Sequence, residues 1–276
     1  MGEIAFLNGA FLDSKKAQLS ALTPGVLSGL GLFESMRSYN GKIVYLDEHL
    51  KRIKSSSKLI AIRLPFSFTK LKEIIKETVE KNGFKDAYVR LTLWKPERGT
   101  DILVTVKRYH AFTCQKYRNG FRAVISSLRQ NEDSPLTRIK STNRLFYQLS
   151  LQEAKDKGFD EAIILNNRGY IAETTRSNLF LAKDNELFTP TLSCGCLAGI
   201  TRRVIFDLAK KYNIKIYEGK FTLKDLYEAD EAFLTNSLMG VMPLVSVEKH
   251  LIRKGLSGKL TLYFIKKYNS LLKNGI

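Results

Sequence analysis

Three stretches of the chain carry residue types that could do chemistry together. In "RIKSTNRLF" (138–146), Lys140 enters a polar segment bounded by Ile139 and Leu145. A lysine amine whose proton affinity is lowered by desolvation or neighbouring cations becomes a nucleophile able to form a Schiff base. In "YIAETTRSNLF" (170–180), Glu173 ends a short apolar strand pattern, where a packed residue is expected. A carboxylate there could hold a pyridinium nitrogen. In "LAGITRRVIFDLAKKY" (197–212), Gly199, Ile200 and Thr201 open an amphipathic helix. Free backbone N–H groups and the helix dipole make such an end a phosphate cradle, and Thr201 adds a hydroxyl. Singly, each has a plainer reading: a solvated charge, a strand-edge carboxylate, and an N-cap threonine.

The elements that must position these residues follow from periodicity and turn chemistry. "EIAFLNGAFL" and "GLFESMRSYNGKIVYL" alternate as hairpins turning at Asn8-Gly9 and Asn40-Gly41. "DEHLKRIKSSSKLIAI" reads as a helix with Asp47 at its N-cap. In "FTKLKEIIKETVEKNGF", Leu71, Ile74, Ile75 and Val79 share one face, and Asn82-Gly83 closes the helix. "AYVRLTL" and "DILVTVKRY" are strands. "HAFTCQKYRNG" (110–120) lacks periodicity and reads as a linker.

Beyond it come the strand "RAVISSL" and a helix carrying Leu145, Leu149, Leu151 and Ala154, ended by Gly158. Short strands "EAIILN", "YIAE", "NLFLAK" and "ELFTP" follow, then a helix with Val204, Ile205, Leu208 and Tyr212. A strand "IKIYEG", a strand "AFLTN" and a C-terminal helix around 260–272 finish the chain. The expected organisation is α+β in two domains. A smaller N-terminal domain covers 1–112, a linker 113–120, and a larger C-terminal domain 121–276.

Composition narrows the function classes. The 276 residues are 44% hydrophobic and 26% charged, the balance of a globular protein with a sizeable core. No apolar run approaches the ~18 residues of a membrane helix. The opening "MGEIAFLNGAFLDSKK" has no basic n-region, and Phe6 breaks the myristoylation pattern, so the reading is cytoplasmic.

A net charge of +18 invites nucleic acid, yet the basic residues are scattered along helical faces and mixed with acids. No nucleic-acid partner and no membrane is expected. Abundant lysine and glutamate with few Met and Cys would also suit a thermophilic source. Cys114, Cys194 and Cys196 are an odd number, which argues against a disulfide framework. "CGC" lacks a second cluster, and His49, His110 and His250 are isolated, so no metal site is expected.

Order and spacing are more specific than any one piece. Lys140, then Glu173 in E-x-x-x-x-N-L-F, then F-T-P, then L-x-G-I-T-R resembles the class IV aminotransferases, the fold-type IV pyridoxal 5′-phosphate (PLP) enzymes. The resemblance spans nearly the whole chain, with "GLFESMRSYNGKIVYLDEHLKRI" looking like the family's first signature. It implies a two-domain fold of the D-amino-acid aminotransferase type, PLP as cofactor, and a homodimer acting on a small-molecule substrate. By the same resemblance Lys140 is the lysine that holds the cofactor, and Glu173 partners its ring nitrogen. Arg52 of H-x-x-R, the amides of Ile200 and Thr201, and Asn236 and Ser237 of "LTNSLMGV" bind cofactor. A guanidinium fork suits a dianionic phosphate.

Within that family, "K-S-T-N-R-L" and "TNSLMGVMPL" are similar to the 4-amino-4-deoxychorismate lyases. That implies release of pyruvate and 4-aminobenzoate, a step of folate biosynthesis. Glu34 in "FES", and Tyr88 and Arg90 in "AYVR", resemble the branched-chain or D-amino-acid aminotransferase side, where 2-oxoglutarate is the acceptor. Tyr88 and Arg90 lie two apart on one strand face and could read a substrate carboxylate, as could Arg98 in "PERGTD". "LSGLGLFES" departs from the x-Y-G-D-G-x-F-E of relatives by lacking the tyrosine and aspartate, which bears on specificity. The lyase is the expected activity and the aminotransferase its alternative.

Overall fold

The computed structural model describes residues 2–273, which form two compact units. The first comprises residues up to His110 together with Ile139–Asn143. Its sheet has six strands: β1 (Ile4–Leu7), β2 (Ala10–Asp13), β3 (Gly31–Tyr39), β4 (Lys42–Ile43), β5 (Ala87–Trp94) and β6 (Asp101–Arg108). Their order is β2-β1-β6-β5-β3-β4, with every neighbour antiparallel. Asn8 and Gly9, and Asn40 and Gly41, take positive φ and make the two expected tight turns.

Side chains alternate across a strand, so each face of this sheet has its own chemistry. Leu32, Met36, Val89, Leu91, Ile102 and Val104 face the helical side and are fully buried. Two helices pack there, α2 (Leu46–Leu59) and α3 (Phe68–Asn82), through Leu50, Ile53, Leu71 and Ile75; a short α1 (Pro24–Leu27) precedes them. The other face carries Ser35, Tyr88, Arg90 and Thr105, all half-buried.

Asp47 does not cap α2. The helix starts at Leu46 after Tyr45 in a left-handed conformation, and Asp47 sits in the first turn, paired with Lys72 at 2.6 Å.

The second unit comprises Ala111–Arg138 and, among the described residues, Arg144 to Lys273. Its nine strands are β7 (Phe121–Gln130), β8 (Glu161–Asn166), β9 (Ile171–Thr174), β10 (Asn178–Lys183), β11 (Glu186–Pro190), β12 (Ile216–Gly219), β13 (Glu231–Asn236), β14 (Gly240–Val247) and β15 (His250–Leu251). Eight run in the order β12-β11-β10-β13-β14-β7-β8-β9, and β15 pairs with β14. Five helices belong to it: α4 (Cys114–Asn119), α5 (Leu145–Asp156), α6 (Ile200–Lys211), α7 (Leu223–Tyr227) and α8 (Lys259–Lys273). Phe180 stacks on Phe233 at 4.9 Å in the buried layer beneath α6 and α8. The α+β class is as expected.

Two local expectations change. The stretch 110–120 contains α4, capped by the Thr113 hydroxyl and closed by Gly120, a helix too short to show a period. On α5 two of the four expected positions face out: Leu145 and Leu149 are exposed, while Leu151 and Ala154 turn inward with Ser150. Strand β14 carries no periodic signal, since all eight of its residues are buried and therefore show no alternation. Among the described residues no helix is long and apolar enough to cross a membrane, and no cluster of three metal-binding side chains occurs.

Candidate active site

Lys140 is placed by strand pairing with the first unit's sheet. The Phe33 N–H donates to the Lys140 carbonyl at 2.9 Å, and the Thr142 N–H donates to the Gly31 carbonyl at 2.9 Å. Leu32 and Ser141 form the bridge between these bonds, so Lys140 lies directly across from Phe33 with both side chains on one face. The Lys140 Nζ stands 4.8 Å from the Phe33 ring centroid, and the Arg90 guanidinium 3.9 Å from it. Arg90 pairs across the sheet with Ser35, whose hydroxyl is 3.3 Å from the Tyr88 hydroxyl. One sheet face thus holds an amine and a guanidinium against a single aromatic ring, and carries two hydroxyls close to each other. Close approach is enforced at Gly31, where a Cβ would meet the Thr142 hydroxyl at 2.6 Å.

Arg52 lies on α2 beneath the opposite face. Its Nε donates to Glu34 Oε1 at 2.8 Å and its Nη2 to Glu34 Oε2 at 2.6 Å, a bidentate fork. His49, one turn earlier on the same helix face, meets Glu34 Oε2 through Nδ1 at 2.6 Å. Burial alone would raise the Glu34 carboxyl, but Arg52 and His49 more than reverse this and bring it to about 2. Burial holds the His49 imidazole below its ordinary value against the pull of Glu34, and the charges of Arg52 and Lys140 add to the depression.

In the second unit, Glu173 is the penultimate residue of β9 and is buried. Its Oε1 accepts from the Tyr147 hydroxyl at 3.0 Å and its Oε2 from the Leu197 N–H at 3.1 Å. Burial, and then the Glu173 charge, push the Cys196 thiol up to about 12, so it stays protonated.

Helix α6 opens at Gly199, which occupies the N-cap without a side-chain hydrogen bond. Only glycine fits there, because a Cβ would stand 2.0 Å from Asn178 Oδ1. The amides of Ile200 and Thr201 are first-turn donors that the helix itself cannot satisfy. Asn178 pairs across the sheet with Thr235, whose buried hydroxyl has no hydrogen-bond partner among the described residues. The sheet therefore brings the α6 start close to the end of β13, where Asn236 and Ser237 sit. The Asn236 Oδ1 accepts from the amides of Leu238 at 3.0 Å and Met239 at 2.9 Å, committing that side chain to building the turn.

Of the sequence-predicted residues, Lys140, Tyr88 and Arg90 share one sheet face, and the α6 start with Ile200 and Thr201 lies at the same sheet end as Asn236 and Ser237. Arg98 stands exposed on the turn between β5 and β6. Glu34's role as counter-charge to Arg52, and the parts of His49, Tyr147 and Gln130, are additions from the structure. The i, i+3 spacing of His49 and Arg52 is a usable signal for one of them, because it points both at one buried acid.

The chain matches the class IV amino-transferase pattern over residues 31–247. It belongs to that family. An aminodeoxychorismate lyase of Bacillus subtilis is 29% identical over 88% of this chain and 86% of its own. A branched-chain-amino-acid aminotransferase of Pseudomonas aeruginosa is 29% identical over 98% and 92%. A solved branched-chain amino acid aminotransferase from T.th., with pyridoxamine 5′-phosphate, superposes with a TM-score of 0.94 at 28% identity, covering 100% of this chain and 96% of that one. Class IV amino-transferases use PLP. The residues of this chain suit that group: an amine, a buried and doubly hydrogen-bonded carboxylate, a glycine-led helix start beside an unpartnered hydroxyl, and an arginine.

Proposed function

We propose that the chain is a PLP-dependent 4-amino-4-deoxychorismate lyase that releases pyruvate and 4-aminobenzoate. The observation that carries this reading is the face beside Lys140. Its Arg90, Tyr88 and Ser35 are polar and cationic, suited to a substrate with two carboxylates rather than to an aliphatic side chain. The "N-R-L" and "N-S-L-M-G-V" stretches and the Bacillus subtilis relative support the same activity.

Bound PLP supplies an electron sink that weakens bonds next to the substrate's amine-bearing carbon. Everything else falls to this chain's own groups. Lys140 would hold the cofactor through its amine and would move protons at the substrate's amine-bearing carbon. Its position across from Phe33 keeps the amine on the substrate face. Arg90 and Tyr88 grip a carboxylate and set the substrate's orientation. Glu173 holds the proton at the ring nitrogen, as a buried carboxylate with two donors can. By family likeness Arg52, held by Glu34, the amides of Ile200 and Thr201, and Ser237 would each be phosphate ligands. The substrate ring becomes aromatic as pyruvate leaves. By family likeness the chain works as a homodimer in the cytoplasm.

An aminotransferase using 2-oxoglutarate is the second reading. Arg90 and Tyr88 would equally hold that acceptor's second carboxylate, and the Pseudomonas aeruginosa relative supports it. The deciding experiment incubates the PLP-loaded protein with 4-amino-4-deoxychorismate and follows 4-aminobenzoate, and in parallel with leucine or D-alanine plus 2-oxoglutarate and follows glutamate. The lyase reading expects product only in the first assay. Glutamate alone would overturn it.

A further inference from the structure

We infer that Tyr147 is a positioning residue for Glu173, its hydroxyl fixing one carboxylate oxygen so that the ionised carboxylate faces a cationic ring nitrogen. The inference rests on the reading of Glu173 as the partner of the cofactor's ring.

The geometry starts on α5. Tyr147, Ser150, Leu151 and Ala154 follow i, i+3, i+4 and i+7, so Tyr147 extends the inward stripe of that helix. Three groups hold it. The Arg144 guanidinium lies 3.9 Å from its ring centroid and donates to the Thr175 carbonyl, tying the start of α5 to the turn after β9. Gln130 Nε2 lies 3.1 Å from the Tyr147 oxygen and 3.3 Å from the Gly195 carbonyl. The Tyr147 oxygen is itself 3.0 Å from Glu173 Oε1.

The direction of these bonds is not arbitrary. An amide NH₂ only donates, so the Tyr147 oxygen accepts from Gln130 and its single proton points at Glu173. Burial, and then the Glu173 charge, raise the Tyr147 phenol above its ordinary value, so that proton stays on tyrosine. The Leu197 N–H fixes the second carboxylate oxygen. A carboxylate that accepts two such bonds is favoured in its charged form. The shared proton is thereby left on the ring nitrogen, where it strengthens the cofactor's electron withdrawal.

Apo-protein is titrated with PLP and followed by visible absorbance, for wild type, Tyr147→Phe, Tyr147→Gln and Gln130→Met, with thermal melts alongside. Removing the hydroxyl makes Glu173 more basic and draws the proton from the ring. Tyr147→Phe should weaken PLP about fivefold and raise the pH midpoint of the visible band by about half a unit. Tyr147→Gln keeps a donor and should bring the midpoint back towards wild type, which a purely structural role would not do. Gln130→Met should shift the midpoint the same way by less, and it decides the matter if Tyr147→Phe melts early. Wild-type midpoints in both variants would overturn the inference while leaving the PLP reading intact. A wild-type protein that gives no visible band would instead overturn the PLP reading, and the inference with it.

Discussion

Lys140 and Phe33 are cross-strand neighbours, joined by the 2.9 Å bond from the Phe33 N–H to the Lys140 carbonyl. This pairing sets the lysine's amine against a ring that also carries Arg90. The spacing between this amine and this guanidinium is therefore built into one sheet.

Arg90 is expected to bind rather than to react. Arg90→Lys keeps a charge but loses the planar fork, so KM for a dicarboxylate substrate should rise about tenfold, with a smaller change in kcat. Tyr88→Phe should act in the same direction more weakly. Steady-state kinetics check this. A drop in kcat at constant KM would place Arg90 in the chemical step instead.

Glu34 is buried and carries the charge that Arg52 and His49 face. Glu34→Ala leaves a guanidinium without its counter-charge and should cost about 3 kcal/mol in urea unfolding. Glu34→Gln, which keeps the shape, should cost less. PLP affinity should fall in both, because Arg52 loses its bidentate hold.

The same trio sets the response to acid. The folded Glu34 value of about 2 lies below its ordinary 4.5, so the unfolded chain binds more protons between them. That stabilisation is complete above the unfolded value and is lost as pH falls through the folded one. His49, also depressed, has the same sign, beginning below its ordinary 6.5. Melting temperature should thus decline in two stages on acidification. In Glu34→Gln the lower stage should be reduced.

Gly199→Ala should be poorly tolerated. The added methyl would fall 2.0 Å from Asn178 Oδ1, and the Asn178 amide also donates to the Leu197 carbonyl at 2.8 Å. A loss of about 1–3 kcal/mol is expected from the displacement, together with weaker PLP binding at the helix start. Urea melts and PLP titrations measure the two effects separately.

The legible parts of this fold are the local ones. Asn-Gly pairs mark both hairpin turns because their positive φ is a property of those residues alone. The stripe Leu71, Ile74, Ile75 and Val79 marks α3 for the same reason. On α5 periodicity finds the helix but only half its face, since the inward positions include Tyr147 and Ser150, while Leu145 and Leu149 point outward. The candidate site residues Lys140 and Glu173 are proposed from motif order. The groups that hold the site cannot be read that way: Glu34 meets Arg52, and Tyr147 with Gln130 reaches Glu173, only through sheet register and helix facing, which spacing along the chain does not encode.

The central claim is that Lys140 carries the cofactor. Borohydride reduction of the PLP-loaded protein, followed by peptide mass mapping, tests it directly. The account predicts one stoichiometric pyridoxyl group on the peptide containing Lys140, absent in Lys140→Ala. A label on another lysine, or none on a loaded wild-type protein, would contradict it.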